Sequence, residues 1–539
     1  MKIKRIAALL LSLILSFCFT GCEKKENAAP DSWQEVVNQE SLEGNEVSKD
    51  FGFWVTDSLD RVRKNRKTNG KITIELAGAK GEYESFQIVT FTESSGTVKL
   101  TDFTVSDLVS ESGDVISAED YVTLYREHYI KSEIQSPTSG DVIQETTGEI
   151  PDALIPLKNP KTKELLGESA RFYALPYELT EEACQPFFVD IEIPREAKAG
   201  TYKGVFTFKS DKGIQGGEFT LKVWDIALSE VQTQGSYFGS WSTQTPQKVE
   251  EAAKNRIFIN ATNIDAEKEL YEKYGFNNAN VGFWGNVDID NTDKMKEAPE
   301  VSKVKEAVAK HYDKLNLFAY TADEIGGATN LYSRIKEYGV ALHAGGTKQL
   351  ITMPPTEELL NGDDGKSAVD IWVMLPKQFD SHTELIAKAR DLGCEIWTYN
   401  CLVQDNYSPK WLLDYPLIDY RIHPGFINYS IDADGFLFWV IDNWNTVGDP
   451  WSSLDMTYNG DGILFYPGSD VGLDDTFVPS LRVKAIRDGF EDYELCYALE
   501  QINSVKTDTS KIATSFSDWT KDKQVLLEER SKLGNLLNN

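Results

Sequence analysis

Apolar and polar positions change their rhythm once along the chain, near residue 230. Between residues 50 and 228 the rhythm is two-fold. "KITIELAG" alternates, with Ile72, Ile74 and Leu76 on one face. "YESFQIVTF", "TVKLTDFTV", "YVTLYREHYI", "QPFFVDIEIP", "GTYKGVFTFKS" and "GEFTLKVWDI" follow, separated by Gly, Ser, Asp and Pro. Short alternating runs with turn residues between them predict strands, and many such strands with few helical stretches predict a β-sandwich over 50–228. From 229 to 505 apolar runs alternate instead with helical segments. The runs at 235–241, 256–262, 278–285, 314–324, 347–353, 368–375, 394–400 and 435–442 predict eight strands. Between them, "TNLYSRIKEYGVALHA" places Leu331, Ile335 and Tyr338 at helical spacing, and "SHTELIAKARDLG" ends on a glycine. Strands alternating with helices over roughly 250 residues predict a (β/α)8 barrel of the TIM type, whose active sites sit at the C-terminal strand ends. Residues 479–502 predict an amphipathic helix packed on that barrel, and 506–539 a polar helical tail.

The first residues read as an address. "MKIKR" is a basic start, "IAALLLSLILSFCF" an apolar stretch too short to cross a bilayer comfortably, and "TGC" a close. Residues 1–21 look like a bacterial lipoprotein signal, with Phe19 where leucine is usual and Cys22 as the lipidated mature N-terminus. The expectation is an exported protein held on the bacterial cell membrane, with the lipid bilayer as a partner. Residues 22–49, polar and without steady period, predict a flexible tether. Of the remaining cysteines, Cys184, Cys394, Cys401 and Cys496, none has zinc spacing. Free thiols are the expectation, with Cys394–Cys401 as the one candidate disulfide. The net charge of -30 excludes a nucleic-acid partner, which needs a basic face.

Candidate chemistry lies where the 314–324 run stops. "KLNLFAYTADEIGGATN" ends an apolar stretch on adjacent carboxylates, Asp323 and Glu324, followed by Gly326 and Gly327. Strand neighbours point to opposite faces, so both acids reach one pocket only if the chain leaves strand geometry there. Two readings stay open from the residues alone. Glu324 is a solvated loop residue and Asp323 caps the next helix, or the pair works together. Aromatics fall at or just past other strand ends, Trp241, Trp284, Tyr399, Trp439 and Trp444, and Trp397 is a further candidate for binding substrate. Acids ringed by tryptophans suit a sugar cleft, where apolar ring faces stack and a carboxylic acid protonates the leaving oxygen. Asp442 and Asn443 are further candidates for sugar hydroxyls, and Asn280 and Arg256 follow them. The acidic loops "DIDNTDK" and "GSDVGLDD" miss the calcium-loop pattern, and no metal or other cofactor is expected.

Several stretches resemble glycoside hydrolase family 123 and its relatives grouped as domain of unknown function 4091. They are "GEYESFQIV" (81–89), "QPFFVDIEIPREAKAGTYKG" (185–204), "EIWTYN" (395–400), "GFLFWVIDNWN" (435–445), "GDGILFYPG" (460–468) and, most specific, "SLRVKAIRDGFEDYELCYALE" (480–500). The "DE" at 323–324 matches the family's acid pair, with Ile325 where relatives often have proline. The resemblance implies a β-sandwich followed by a catalytic barrel. It also implies retaining hydrolysis of β-linked N-acetylgalactosaminides from a glycan substrate, assisted by the substrate's own 2-acetamido group through an oxazoline. Asp323 would then stabilise the acetamido nitrogen, Glu324 would be the general acid/base, and Tyr399 is placed to hold the acetamido oxygen. A glycosidase of the same scaffold for another sugar, and a non-catalytic surface sugar-binding lipoprotein, are the alternative readings. Arg487, Asp488, Glu491 and Asp492 are expected to form a structural ion-pair network.

Overall fold

The computed structural model describes residues 32–93, 95–138, 143–401 and 407–536. The signal segment, Cys22 and the start of the tether lie outside them. The later tether is not all unstructured: Trp33–Leu42 is a helix capped by the Ser32 hydroxyl, and the Trp33 ring lies beside Gly216. Val47 then bridges to Ile214.

The N-terminal half is built of two sheets. The first runs in the order β1 (Phe51–Asp57), β3 (Tyr83–Thr92), β10 (Cys184–Glu192), β7 (Val122–Ser132) and β8 (Gly148–Pro156), antiparallel throughout. The second runs β2 (Ile74–Lys80), β12 (Gly213–Ala227), β11 (Gly200–Ser210), β4 (Val98–Val105) and β9 (Tyr177–Leu179), with β5 (Leu108–Ser110) and β6 (Val115–Ile116) alongside. Alternation supplies one apolar face to each sheet, and the two faces share one core. Phe103 and Phe208 of the second sheet stack at 4.2 Å, and Phe187 of the first meets them edge-on at 5.4 and 5.0 Å. Phe86 and Phe206 join the same cluster.

The C-terminal half carries a nearly closed parallel sheet. Its order is β13 (Gly235–Phe238), β19 (Gly435–Phe438), β18 (Glu395–Tyr399), β17 (Ile371–Met374), β16 (Lys348–Thr352), β15 (Asn316–Asp323) and β14 (Asn278–Asn280). Seven of the eight expected runs become strands. The exception is 256–262, which has no ladder. Arg256 sits in the left-handed region at φ 60°, which breaks extended geometry where a second strand would begin. Side-chain amides replace the missing backbone pairing at this seam. Asn278 accepts from Ser236 N–H at 2.9 Å and donates to Ser236 O at 2.8 Å. Asn260 makes the same double contact with the backbone of Asn280, both bonds at 3.1 Å. The interior is filled by Phe318, Leu350, Ile371, Val373, Trp397 and Leu437.

The helix Leu481–Asn503 is capped by Ser480 and joins the two halves. It is not amphipathic as expected. Residues 481–492 are buried on every side, and their charges are paired. Arg482 binds Asp152 of β8 at 2.7 Å, Arg487 binds Asp190 of β10 at 2.8 Å, and Lys484 meets Asp190 at 2.9 Å. Arg487 also meets Asp488 at 2.8 Å, while Asp492 is held by Arg421 and Arg530. Within the expected tail, the helix Lys523–Asn535 is docked rather than free. Arg530 inserts between Glu82 and Glu84, and Gly534 lies against the Trp224 ring.

Candidate active site

On the strands of the parallel sheet, alternate residues face inward: Phe318 and Tyr320 on β15, Leu350 and Thr352 on β16, Trp397 and Tyr399 on β18. Continued alternation after Tyr320 would turn Ala322 and Glu324 inward and Asp323 outward. The chain inserts one residue instead. Tyr320 pairs with Leu350, Ala322 with Ile351 and Asp323 with Thr352, so Thr321 is the extra residue of a bulge. Ala322 consequently packs in the cluster outside the sheet, and Asp323 turns inward beside Tyr320. Its Oδ1 accepts from the Tyr320 hydroxyl at 2.6 Å and from Thr352 Oγ1 at 2.5 Å.

The next residue then departs from the strand. Glu324 has φ 47°, a left-handed conformation that costs a residue with a Cβ roughly 1–2 kcal/mol. Its N–H donates to Thr352 Oγ1 at 2.7 Å, so the one threonine hydroxyl binds both acids. Its Oε1 accepts from the Tyr399 hydroxyl at 2.5 Å. Bulge and left-handed turn together bring two consecutive carboxylates to one side. Burial raises the Glu324 pKa above the ordinary carboxylate range. The Tyr399 hydrogen bond opposes that rise and the Asp323 charge adds to it. Such a group retains its proton to higher pH than a solvated glutamate.

Aromatic rings follow the C-terminal ends of strands in the same sheet. Trp284 meets Tyr320 edge-on at 5.7 Å, and Trp241 meets Trp439 edge-on at 5.3 Å. Trp241 is 62% exposed and Trp284 37%, large apolar surfaces left open to solvent. Four residues that the sequence did not mark as site residues join it: Tyr320, Thr352, Cys401 and Asp461. Tyr320 was open to the alternation of "LFAY", but Thr352 and Asp461 carry no local signal. Burial pushes the Cys401 thiol well up, with the charges of Asp461, Glu324 and Asp323 adding to the rise. Asp461 is buried, which raises its pKa to about 6, and it accepts from Trp439 Nε1 at 3.3 Å.

Other expected residues lie elsewhere. Trp397 is fully buried inside the sheet, with Gly235 and Gly435 against its ring and its Nε1 on Glu395. It is core, because it stands two residues deeper than Tyr399 on the same face. Asp442 is occupied in holding the loop after β13: it accepts from Trp241 N–H at 2.7 Å, Ser240 Oγ at 2.5 Å and Ser242 N–H at 3.1 Å. Asn443 is buried beside it. Trp444 donates to Phe465 O at 2.8 Å and packs on Phe477, a wall of the core. Arg256 belongs to the buried ion network, 3.5 Å from Glu491, and Asn280 donates to the Tyr237 hydroxyl. Cys184, Cys394, Cys401 and Cys496 are free thiols. Among the described residues, no group of three or more His, Cys, Asp or Glu is arranged to hold a metal.

Residues 56–210 match the glycoside hydrolase 123 N-terminal domain, and residues 357–499 match the glycoside hydrolase 123 catalytic domain. The two spans take in more than half of the chain. The chain belongs to glycoside hydrolase family 123. A family 123 glycoside hydrolase from Clostridium perfringens, solved to describe glycolipid glycan hydrolysis, superimposes with a TM-score of 0.58 at 15% identity. The alignment covers 91% of this chain and 98% of that one, so the two share their fold along nearly the whole length. The Parabacteroides merdae β-glucuronidase follows at a TM-score of 0.27 and 9% identity, covering 75% of this chain and 53% of that one. β-Glucuronidase 3 of Bacteroides uniformis follows at 0.25 and 9%, covering 72% and 47%. Neither reaches the level at which a fold is shared. No curated protein matches the chain. Asp323 and Glu324 lie outside both family 123 matches, in the stretch between them.

Proposed function

We propose that this family 123 member is a retaining β-N-acetylhexosaminidase, with β-linked N-acetylgalactosamine as its preferred sugar, working through substrate assistance. The observation that carries the reading is the junction at 321–324. A bulge and a left-handed glutamate put two successive carboxylates on one side, and Trp284 packs edge-on against the Tyr320 whose hydroxyl binds Asp323. A conventional retaining enzyme sets its acids about 5–5.5 Å apart across the scissile bond, one of them as nucleophile. Consecutive acids sharing one threonine suit the other solution, in which the sugar supplies the nucleophile.

In the first step the 2-acetamido oxygen attacks the anomeric carbon, and the bond to the leaving oxygen breaks. The Glu324 proton passes to that oxygen. The acetamido nitrogen gains positive charge, and Asp323 accepts its N–H and balances the charge. In the second step Glu324, now a carboxylate, takes a proton from water, whose oxygen attacks the anomeric carbon and opens the oxazoline. The acetamido oxygen attacks from the face opposite the leaving oxygen and water enters from the face the leaving oxygen vacated, so two inversions retain the configuration. Burial raises its pKa, in the direction that favours a proton on Glu324 for the first step. In line with the leader at residues 1–21, the proposed setting is outside the cytoplasm, with the chain anchored through lipid on Cys22.

The test is hydrolysis of aryl β-GalNAc, β-GlcNAc and β-galactoside. The expected result is cleavage of the acetamido sugars alone. Glu324→Gln should slow an unactivated substrate about 10²–10⁴-fold, the range of general acid–base catalysis. Turnover of the galactoside at a comparable rate would overturn neighbouring-group participation.

A further inference from the structure

A second groove, of about 500 Å³, opens on the N-terminal half, away from the paired acids. It is lined by Lys99, Arg126, Arg171, Tyr173, Tyr177 and Glu178 among others, and shares no lining residue with the candidate active site. Its size falls within the roughly 300–1,000 Å³ usual for small-ligand sites.

Arg126 is the unusual member. Alternation along β7 puts it on the same face as Leu124 and Ile130, which pack in the core between the two sheets. The residue is only 8% exposed. Its Nε and Nη2 donate to the carbonyls of Tyr173 and Ala174, and its guanidinium lies 4.9 Å from the centre of the Tyr177 ring. Among the described residues it has no carboxylate partner. Burial lowers its pKa to about 10, opposed only by nearby tyrosines.

The contrast with the other buried arginines is sharp. Arg482 and Arg487, still more deeply buried, each bind an aspartate. Burying an uncompensated charge is expensive, and carbonyl dipoles offset only part of that cost. The remaining charges of the groove are accounted for. Arg171 is held by Asp449 and Asp470. Lys99 stands opposite Glu178 in the β4–β9 register, and Glu168 is an exposed residue of the lining. The groove therefore offers half-buried tyrosine rings beside one guanidinium that lacks an anion.

We infer that this groove is an accessory saccharide site for a sugar bearing a carboxylate, with Arg126 binding the carboxylate and Tyr173 and Tyr177 packing on the ring. A planar fork matches a planar carboxylate, and a pyranose presents an apolar face to a flat side chain. The choice of a sugar rests on the proposed glycosidase function; the negative charge rests on Arg126 alone.

The test separates the two. The full chain carrying Glu324→Gln is titrated calorimetrically with sodium trigalacturonate and with neutral galactotriose, so no hydrolysis is needed for a signal. The expected result is trigalacturonate binding at least about tenfold tighter than galactotriose, the value of one good charged contact. Tyr173→Ala and Arg126→Lys should each weaken it by about the same factor. In the chain with Glu324 intact, Tyr173→Ala should leave both aryl-glycoside hydrolysis and the unfolding temperature unchanged. If Arg126→Lys lowers the unfolding temperature, Tyr173→Ala decides. No heat with trigalacturonate, equal binding of the neutral sugar, or an affinity untouched by Tyr173→Ala would overturn the inference. Failure of aryl-glycoside hydrolysis would instead count against the proposed activity.

Discussion

Glu324 combines two demands that a glycine and an acid would satisfy separately. Its backbone sits where a Cβ is unfavourable, and its carboxyl is held by Tyr399. Strain of this kind persists when surrounding contacts overdetermine it, here the two bonds from Glu324 N–H to Thr352. Glu324→Gly and Glu324→Ala both delete the carboxyl and differ only in backbone freedom. The glycine variant should be more stable by about 1 kcal/mol, read as a higher denaturation midpoint, while both lose activity. Tyr399 offers a separate check. Its hydroxyl stabilises the ionised form of Glu324, so Tyr399→Phe should raise that pKa further. The alkaline limb of the kcat/KM profile, which reports loss of the acid's proton, should then move to higher pH. A limb that stays in place would detach Tyr399 from the titration of Glu324. The sequence made the pair visible as two acids ending an apolar run. It hid how they meet, because neither a bulge at Thr321 nor a left-handed glutamate has a residue signature: Gly326 and Gly327 advertised the turn two residues late.

At the scale of elements, seven strands were legible as apolar runs and the eighth was misread. "RIFINAT" has the composition of a buried strand, and Ile257, Phe258 and Ile259 are indeed buried. Burial alone does not make a ladder, and the left-handed Arg256 prevents one. The seam is held by asparagine amides that copy the donor–acceptor pair of a peptide group. Asn278→Leu keeps the size and removes that copy, stranding the Ser236 N–H and carbonyl. Each unsatisfied buried group costs about 1–3 kcal/mol, so a clear fall in unfolding temperature is expected. Asn278→Asp retains the acceptor but, when ionised, buries a charge against the Ser236 carbonyl, so its unfolding temperature should fall further at neutral pH than at acidic pH. The tryptophans show the same limit of pattern reading. Trp241 and Trp397 both belong to apolar runs, yet one is open to solvent and the other fills the interior. Trp397 stands two residues deeper on its strand than Tyr399, a depth that composition does not record.

Across the whole molecule, stability should depend on pH in a defined direction. Glu491, buried in the ion network, has its pKa raised by burial to about 7, and Glu82 is raised by burial as well. In each case the folded chain binds a proton more tightly than the unfolded one, so stability falls as pH rises from the unfolded value toward the folded value. His343, between Asp364 and Asp370, is raised by its hydrogen bond to Asp370 and acts in the same sense above its ordinary value. His128 and His423 act oppositely. Burial lowers them to about 4 and about 3, so their effect is confined to lower pH, where the unfolded chain would charge them. Between about pH 7 and 8, above the ordinary histidine value, the raised groups dominate, and the unfolding temperature should fall across that window. A rise would mean that the buried glutamates stay ionised.

The long helix Leu481–Asn503 carries a consequence for inheritance. Its arginines find their counter-charges at Asp152 and Asp190, on strands laid down some three hundred residues earlier. An excised C-terminal half would take Asp152 from Arg482 and Asp190 from Arg487, and an excised N-terminal half would take the arginines from the two aspartates. Neither piece is a portable module. Gene fusion and domain shuffling must pass the two halves on together, so the N-terminal sheets travel with the parallel sheet rather than as an appendage.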